Sequence, residues 1–396
     1  MTAADCVLLT DDFLPHIGGS RVYYHKVAAI LAPRIAVVTR RRPGSAAFDS
    51  RAPYRVTRVP LAGASFPFPA AIGESADCLA LALAASRAAR SAGCILAGEV
   101  TPSAFAASLV ALRLSIPYGV FVHDEPLMGA GRLERALRMR VLSRAGAIIT
   151  SSTFAARRAH EAAPHVPVFL APAGVDLDRF APGEPSREVM IRFCVAARSY
   201  LLSVGRLVPY KNISLLINAV ARLKSCNLSL VVVGEGPDSA ALVAEAASLG
   251  IPDRVIFAGR VDEADLVHLY RGALAYVFPS RRQGGLQHEG IGMAALEAVA
   301  SGALAMASTE TSASDYLADG RTGFLFDPGD LEAFVRLVER AIDCPAECSA
   351  IASRGADLVR REFTWPHTAS VVSQAIDFLC GRMSLSDVSL VKNLAP

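Results

Sequence analysis

Glu289 and Glu297 stand with seven residues between them in the segment EGIGMAALEA. Glu297 lies among uncharged helix formers, and a carboxylate on an apolar helix asks for a partner that offsets its desolvation. If Gly290 opens the helix, Glu289 sits at its N-terminus and Glu297 lies about 12 Å further along the axis. Two carboxylates that hydrolyse one glycosidic bond stand about 5 to 9.5 Å apart, so this pair suits the two ends of a long ligand better than an acid and a base. The turn between them, with Gly290, Ile291 and Gly292, offers free amides and a partial positive charge that favour a diphosphate. The pattern predicts one glutamate on the hydroxyls of a sugar, phosphates at the helix start and the other glutamate on a ribose. The alternative is a partly exposed helix carrying two ordinary surface glutamates.

Arg206 and Lys211 follow the apolar run YLLSVG in the loop RLVPYKN. Basic groups at the carboxyl end of a strand suit a diphosphate leaving group whose charge grows as a glycosidic bond breaks; two solvated loop charges are the plainer alternative. Gly18 and Gly19, after the run CVLLT, precede a segment that Ser20 is able to cap. Paired glycines allow close approach of backbone to ligand, and they also occur in any tight strand-to-helix turn. The same holds for Gly234 and Gly236. His123 ends the run YGVFVH and is followed by Asp124 and Glu125; its ring either reaches a ligand, as a hydrogen-bond or proton-transfer partner, or packs in the core. Three successive residues do not converge on one ion, and the DxD of Asp176 and Asp178 stands just before a linker, so no metal site and no cofactor is expected.

What must position these residues is a set of short apolar runs between longer helical segments: 6–10, 35–39, 118–123, 147–150, 200–205, 228–234, 255–259 and 275–280. Such alternation indicates parallel sheets with helices on both faces. It occurs in two series, separated by the proline- and charge-rich stretch APGEPSREV at 181–189, the composition of a linker. The expected fold class is α/β, two Rossmann-like doubly wound domains facing across a cleft. The expected domains are 1–185 and 199–365, followed by 366–396 as a helix returning to the first domain and a tail. In such sheets ligands bind beyond the carboxyl ends of the strands.

A chain of 396 residues that is 52% hydrophobic fits two cores. A net charge of +3 leaves no long basic face for nucleic acid. The eight cysteines include no CxxC pair and are expected to be buried thiols in a reducing compartment. The N-terminus lacks a basic leader, and charged residues interrupt every long apolar stretch, so neither signal peptide nor membrane span is expected; the expected location is the cytoplasm. The segment 132–145 carries five arginines. It is either a solvated face or a peripheral contact with anionic lipid on the inner face of a membrane.

Taken in order, the Gly18-Gly19 loop, VHDE, GVDLDRF, Arg206 with Lys211, VVVGEGP, FAGRV, VFPS and the spaced glutamates resemble the GT-B retaining glycosyltransferases of family 4 (glycosyl transferases group 1), over roughly residues 5–365. The resemblance implies that Arg206 and Lys211 hold the donor pyrophosphate, that Glu289 lies near the donor sugar and Glu297 on the ribose, and that His123 assists near the reacting sugar. It implies that Gly18 and Gly19 form a loop over donor or acceptor. It further implies transfer from a nucleotide-sugar donor to a glycan, a lipid-linked sugar or a small metabolite, with retention of configuration and without a metal. Two departures stand out: RRQGGLQH intervenes between Ser280 and Glu289, and Asp315 in TETSASDYL takes the place of a usual glutamate. A nucleotide-sugar 2-epimerase and a non-catalytic sugar- or nucleotide-binding module share this architecture and are the alternatives; a lysine-dependent phosphorylase fits a lysine-poor chain badly.

Overall fold

The computed structural model describes residues 4–16, 18–60, 70–100, 102–123, 132–196, 199–223, 227–282, 289–384 and 386. The chain divides into two compact units, 1–173 with 365–396, and 174–364.

The first unit is built on a seven-stranded parallel sheet: β1 (Cys6–Thr10), β2 (Ile35–Arg40), β3 (Val56–Val59), β4 (Cys94–Ala97), β5 (Tyr118–Val122), β6 (Ala147–Thr150) and β7 (Val168–Leu170), in the order β3-β2-β1-β4-β5-β6-β7. Most strands are buried along their whole length, as expected for a parallel sheet covered by helices on both faces. Val7, Leu9, Ile95, Val120 and Ile148 supply strand side chains to the core.

The second unit repeats the plan with six parallel strands: β8 (Ser199–Val204), β9 (Leu228–Val233), β10 (Val255–Gly259), β11 (Ala275–Phe278), β12 (Ala305–Ser308) and β13 (Phe324–Phe326), in the order β10-β9-β8-β11-β12-β13. Strand order runs outward from the first strand in one direction and then reverses. The reversal falls between β1 and β4 in one sheet and between β8 and β11 in the other, where Leu201 and Leu202 pair with Ala275 and Tyr276. In a doubly wound sheet the two loops at that reversal diverge to opposite faces and leave a crevice at the carboxyl ends. Lys211 and Glu289 leave from the two strands that flank it.

All eight apolar runs form strands, and five further strands accompany them among the described residues. β3 (VTRV), β4 (CILA) and β12 (AMAS) are four residues long and β7 (VFL) and β13 (FLF) three, lengths over which neither alternation nor an apolar run separates a strand from a buried turn of helix. The division of the chain also differs from the expected linker. It falls after Ala173, because 174–185 is already bonded into the second unit: Val175 N–H donates to the Phe363 carbonyl, Arg271 donates to the Ala181 carbonyl, and Phe180 packs on Tyr270 at 6.0 Å. The helix Trp365–Leu379 packs in the first unit, where Thr368 donates to the Pro172 carbonyl at 2.6 Å and Asp377 pairs with Arg34 at 2.6 Å.

Candidate functional site

At the carboxyl end of β8 the chain turns through Gly205 and Arg206 into the single 3-10 turn Pro209–Lys211. Asn212, left-handed at φ 54°, closes that turn and opens the helix Ile213–Arg222. Its amide donates to the carbonyls of Pro279 at 3.2 Å and Pro328 at 3.4 Å, which ties the loop to the end of β11. Gly234, after β9, has φ 128° and lies so close to Gly205 that a Cβ would stand 1.9 Å from the Gly205 carbonyl oxygen. Only glycine permits that backbone and that approach.

Lys211 Nζ and Glu289 Oε1 lie 2.8 Å apart, with the two side chains 15% and 18% exposed. The ammonium also stands 5.5 Å from the centre of the Phe278 ring and 5.7 Å from that of Tyr210, within the range of cation–π attraction. Arg206 is exposed; burial and the Glu289 charge raise the Tyr210 phenol, and the Arg206 charge opposes them. One cation and one carboxylate therefore converge at the sheet reversal, with a second cation beside them.

Glu289 differs from its expected setting. The helix opens at Met293, not Gly290, and runs to Ala300. Gly292 caps it in the left-handed region at φ 71°, where a Cβ would come within 2.6 Å of the Phe278 ring. Glu289 precedes the helix in an isolated parallel bridge to Thr311, and its carbonyl accepts from Ser312 N–H at 3.2 Å. Ile291 is buried, and its carbonyl accepts from Tyr316 Oη at 3.0 Å. Gly290, Ile291 and Gly292 thus form a pinned approach to the helix N-terminus, whose first amides have no partner within the helix. Of the inserted stretch between Ser280 and Glu289, 283–288 lie outside the described residues; Arg282 N–H donates to Glu310 at 2.6 Å. Asp315 ends the 3-10 turn Ser312–Asp315.

Glu297 has the partner that its apolar surroundings demand. Tyr270 Oη donates to Glu297 Oε2 at 3.2 Å. Burial pushes the carboxyl up to about 7, against the lowering effect of the Tyr270 hydrogen bond and the Arg179 charge, while Asp176 raises it further. Neither Tyr270 nor Arg179 stood out in the sequence. Tyr270 comes from the helix Glu263–Gly272, whose pattern is that of any amphipathic helix; Arg179 belongs to GVDLDRF, whose two aspartates drew attention instead. Asp176 opens a turn, its carbonyl accepting from the amides of Arg179 and Phe180.

In the first unit, His123 follows β5. Its Nε2 is 2.8 Å from Tyr24 Oη and its Nδ1 is 3.1 Å from Ser151 Oγ. Tyr24 Oη also reaches the Gly98 carbonyl, which can only accept. The phenol proton therefore goes to Gly98, Nε2–H donates to Tyr24, and Nδ1 accepts from Ser151, which assigns the tautomer. Phe121 stacks on the ring at 5.9 Å, and Tyr23 packs edge-on at 5.4 Å. Burial lowers the imidazole to about 4, so the ring is neutral at neutral pH; both nitrogens have partners within the first unit, while the residue stays partly exposed at the end of β5. Asp124 and Glu125 lie outside the described residues.

Gly18 caps the helix Gly19–Ile30 in an extended conformation, and Arg21 folds back over it, its Nη1 within 2.1 Å of where a Cβ would be. Arg21 pairs with Asp12 at 2.7 Å; His16 and Arg42 meet the same carboxylate. Across the β1/β4 reversal, Glu99 accepts from Thr10 at 2.7 Å, from Asp11 N–H at 3.2 Å and from Ser103 at 2.9 Å. This charged lining was not foreseen, because its members are single residues scattered over 10–103.

Both units are doubly wound, and the second gathers Lys211, Glu289 and a helix start at its sheet reversal. Residues 196–357 match the family model for Glycosyl transferases group 1, and that segment is a domain of this family. The chain is 28% identical over 398 residues to a GDP-mannose-dependent alpha-(1-6)-phosphatidylinositol monomannoside mannosyltransferase of Mycobacterium tuberculosis, covering 95% of this chain and 98% of that one. The enzyme of the same name from Mycolicibacterium smegmatis is 31% identical over 198 residues, 49% of this chain and about half, 52%, of that relative. Among solved structures, Anabaena HepE in complex with UDP superposes with a TM-score of 0.79 at 18% identity, covering 94% of this chain and 99% of that one; this likeness is one of fold.

Proposed function

We propose that this glycosyltransferase moves a mannosyl group from GDP-mannose to a hydroxyl of a lipid-linked acceptor, with retention at the anomeric carbon. The observation that carries the assignment of the donor site is the 2.8 Å pair of Lys211 and Glu289 at the reversal of the second sheet. Donor and acceptor classes follow the name of the mycobacterial relative matched over nearly its full length.

In this reading Lys211 and Arg206 hold the diphosphate and stabilise the charge that develops on it as the bond to the sugar breaks. The amides at the start of the helix Met293–Ala300 add their partial charge to the same phosphates. Glu289, held in place by Lys211, accepts hydrogen bonds from sugar hydroxyls, and Glu297 accepts from the ribose. The acceptor oxygen bonds to the anomeric carbon on the face from which the diphosphate departs, and a departing phosphate oxygen takes the acceptor proton; substitution on one face retains the configuration. His123, neutral and bonded through both nitrogens to Tyr24 and Ser151, shapes the wall on the acceptor side and does not act as a base. A lipid-linked acceptor implies peripheral contact with a membrane.

The test is transfer from GDP-mannose to a lipid extract, with the anomeric configuration of the product read by NMR. An α product, together with a fall in kcat of about 100-fold or more in Lys211→Ala, supports the proposal. An inverted product removes the one-face mechanism, and full activity in Lys211→Ala removes the diphosphate role.

A further inference from the structure

A groove of about 500 Å³ opens in the first unit between the helices Ser103–Leu114 and Arg132–Leu142. Leu109, Leu112, Ile116, Leu137 and Val141 line it, with Arg140 and Arg144 among its walls. Leu112 is 81% exposed, Leu109 52% and Leu137 39%, an unusual concentration of large apolar side chains on a surface. Exposed arginines surround them at 113, 135, 140 and 144. Arg140 and Arg144 form no ion pair among the described residues, whereas Arg138, on the same helix, is held by Glu134 at 2.5 Å.

The position is informative. Ile116 and Pro117 lead into β5 and Gly146 leads into β6, so the groove lies at the amino ends of strands whose carboxyl ends carry His123 and Ser151. It is therefore separate from any substrate site at the carboxyl ends. An apolar strip flanked by unpaired guanidiniums matches a surface of acyl chains beneath anionic phosphates: leucines enter the acyl boundary, while arginines bury their stems and keep their charge at the phosphate level. Among the described residues no helix is long and apolar enough to cross a membrane.

We propose that this groove is the membrane-docking site of the protein, seating the first unit on an anionic phospholipid surface with an acyl chain between the two helices and Arg140 and Arg144 on lipid phosphates. The proposal goes beyond the acceptor reading, because the groove lies at the opposite ends of the strands from the substrate site, and its test is independent of turnover.

The full-length protein is sedimented with vesicles of phosphatidylcholine alone and of phosphatidylcholine with roughly one-third phosphatidylglycerol. Binding to the anionic vesicles only, weakened about tenfold or more in Leu112→Glu/Leu137→Glu and in Arg140→Glu/Arg144→Glu, is the expected result. Both pairs are at the surface, and an unchanged melting temperature verifies their folding. The proposal is overturned if the protein stays in the supernatant with anionic vesicles, binds neutral ones equally well, or binds equally well in the variants. It is also overturned if the leucine variant converts a dimer to a monomer, because the face would then be an interface between copies. Absence of any rise in melting temperature with GDP or GDP-mannose, with vesicle binding intact, would strike the glycosyltransferase reading and leave this one standing.

Discussion

Glu297 shows how burial turns a carboxylate into a sensor of pH. Its surroundings raise it from the usual 4.5 to about 7, a difference worth about 3 kcal/mol. A raised carboxyl stabilises the fold fully below about 4.5, and that contribution is lost as pH rises through about 7. In the proposed donor site, ribose binding by Glu297 works in the opposite sense, because the ionised group accepts from two hydroxyls while the protonated one spends an oxygen as a donor. Affinity for a nucleotide sugar should therefore rise about tenfold between pH 6 and pH 8, following ionisation of a group near 7. Both phosphates of a nucleotide sugar are diesters and do not titrate there. Calorimetric titration at several pH values measures this, and Glu297→Gln should bind more weakly with a flat profile. The same slope in that variant would place the titrating group elsewhere. The need for a partner was legible from an acid among alanines and leucines, but Tyr270, 27 positions away, was not, since a single phenol on an amphipathic helix carries no local signature.

The helix Met293–Ala300 shows the same boundary between what is local and what is not. Two glycines, Gly290 and Gly292, precede it, and propensity alone does not say which one turns the chain. The choice is made by Phe278 on β11, which fills the space where a side chain on residue 292 would go. Gly250, with φ 70° and nothing within 4 Å of its missing Cβ, provides the comparison. Gly250→Ala should cost about 1 kcal/mol, the conformational strain alone. Gly292→Ala adds a clash with an aromatic ring that also supports Lys211, and should cost about 2–4 kcal/mol while lowering kcat. Urea denaturation of both variants decides; equal costs would show that Phe278 yields freely and does not set the helix start. Strands followed the same logic. Longer Val- and Leu-rich runs such as β9 were readable, whereas the four-residue β4 and β12 are strands because their neighbours on both sides are.

At the scale of the whole molecule, the chain leaves the first unit after Ala173, completes the second, and returns at Trp365. Composition suggested a linker at 181–189, but composition reports what is solvated, and this stretch is solvated while still bonded to the second unit. The return has an energetic consequence. Trp365, Val372, Ile376 and Leu379 are buried, with Trp365 edge-on to Tyr23 at 5.9 Å. Burying four large apolar side chains contributes about 6–12 kcal/mol before ordering costs, comparable to the stability of a whole domain. A chain ending at Thr364 keeps every strand of both sheets, yet it should lose the first unit and keep the second. Hydrogen exchange reads the two separately: amides of β5, β6 and β7 should exchange rapidly in the truncated protein, while those of β8, β9 and β11 remain as protected as in the full chain. Retained protection in β5–β7 would mean that the C-terminal helix is an appendage to the first unit; equal loss in both would mean that neither sheet holds without it.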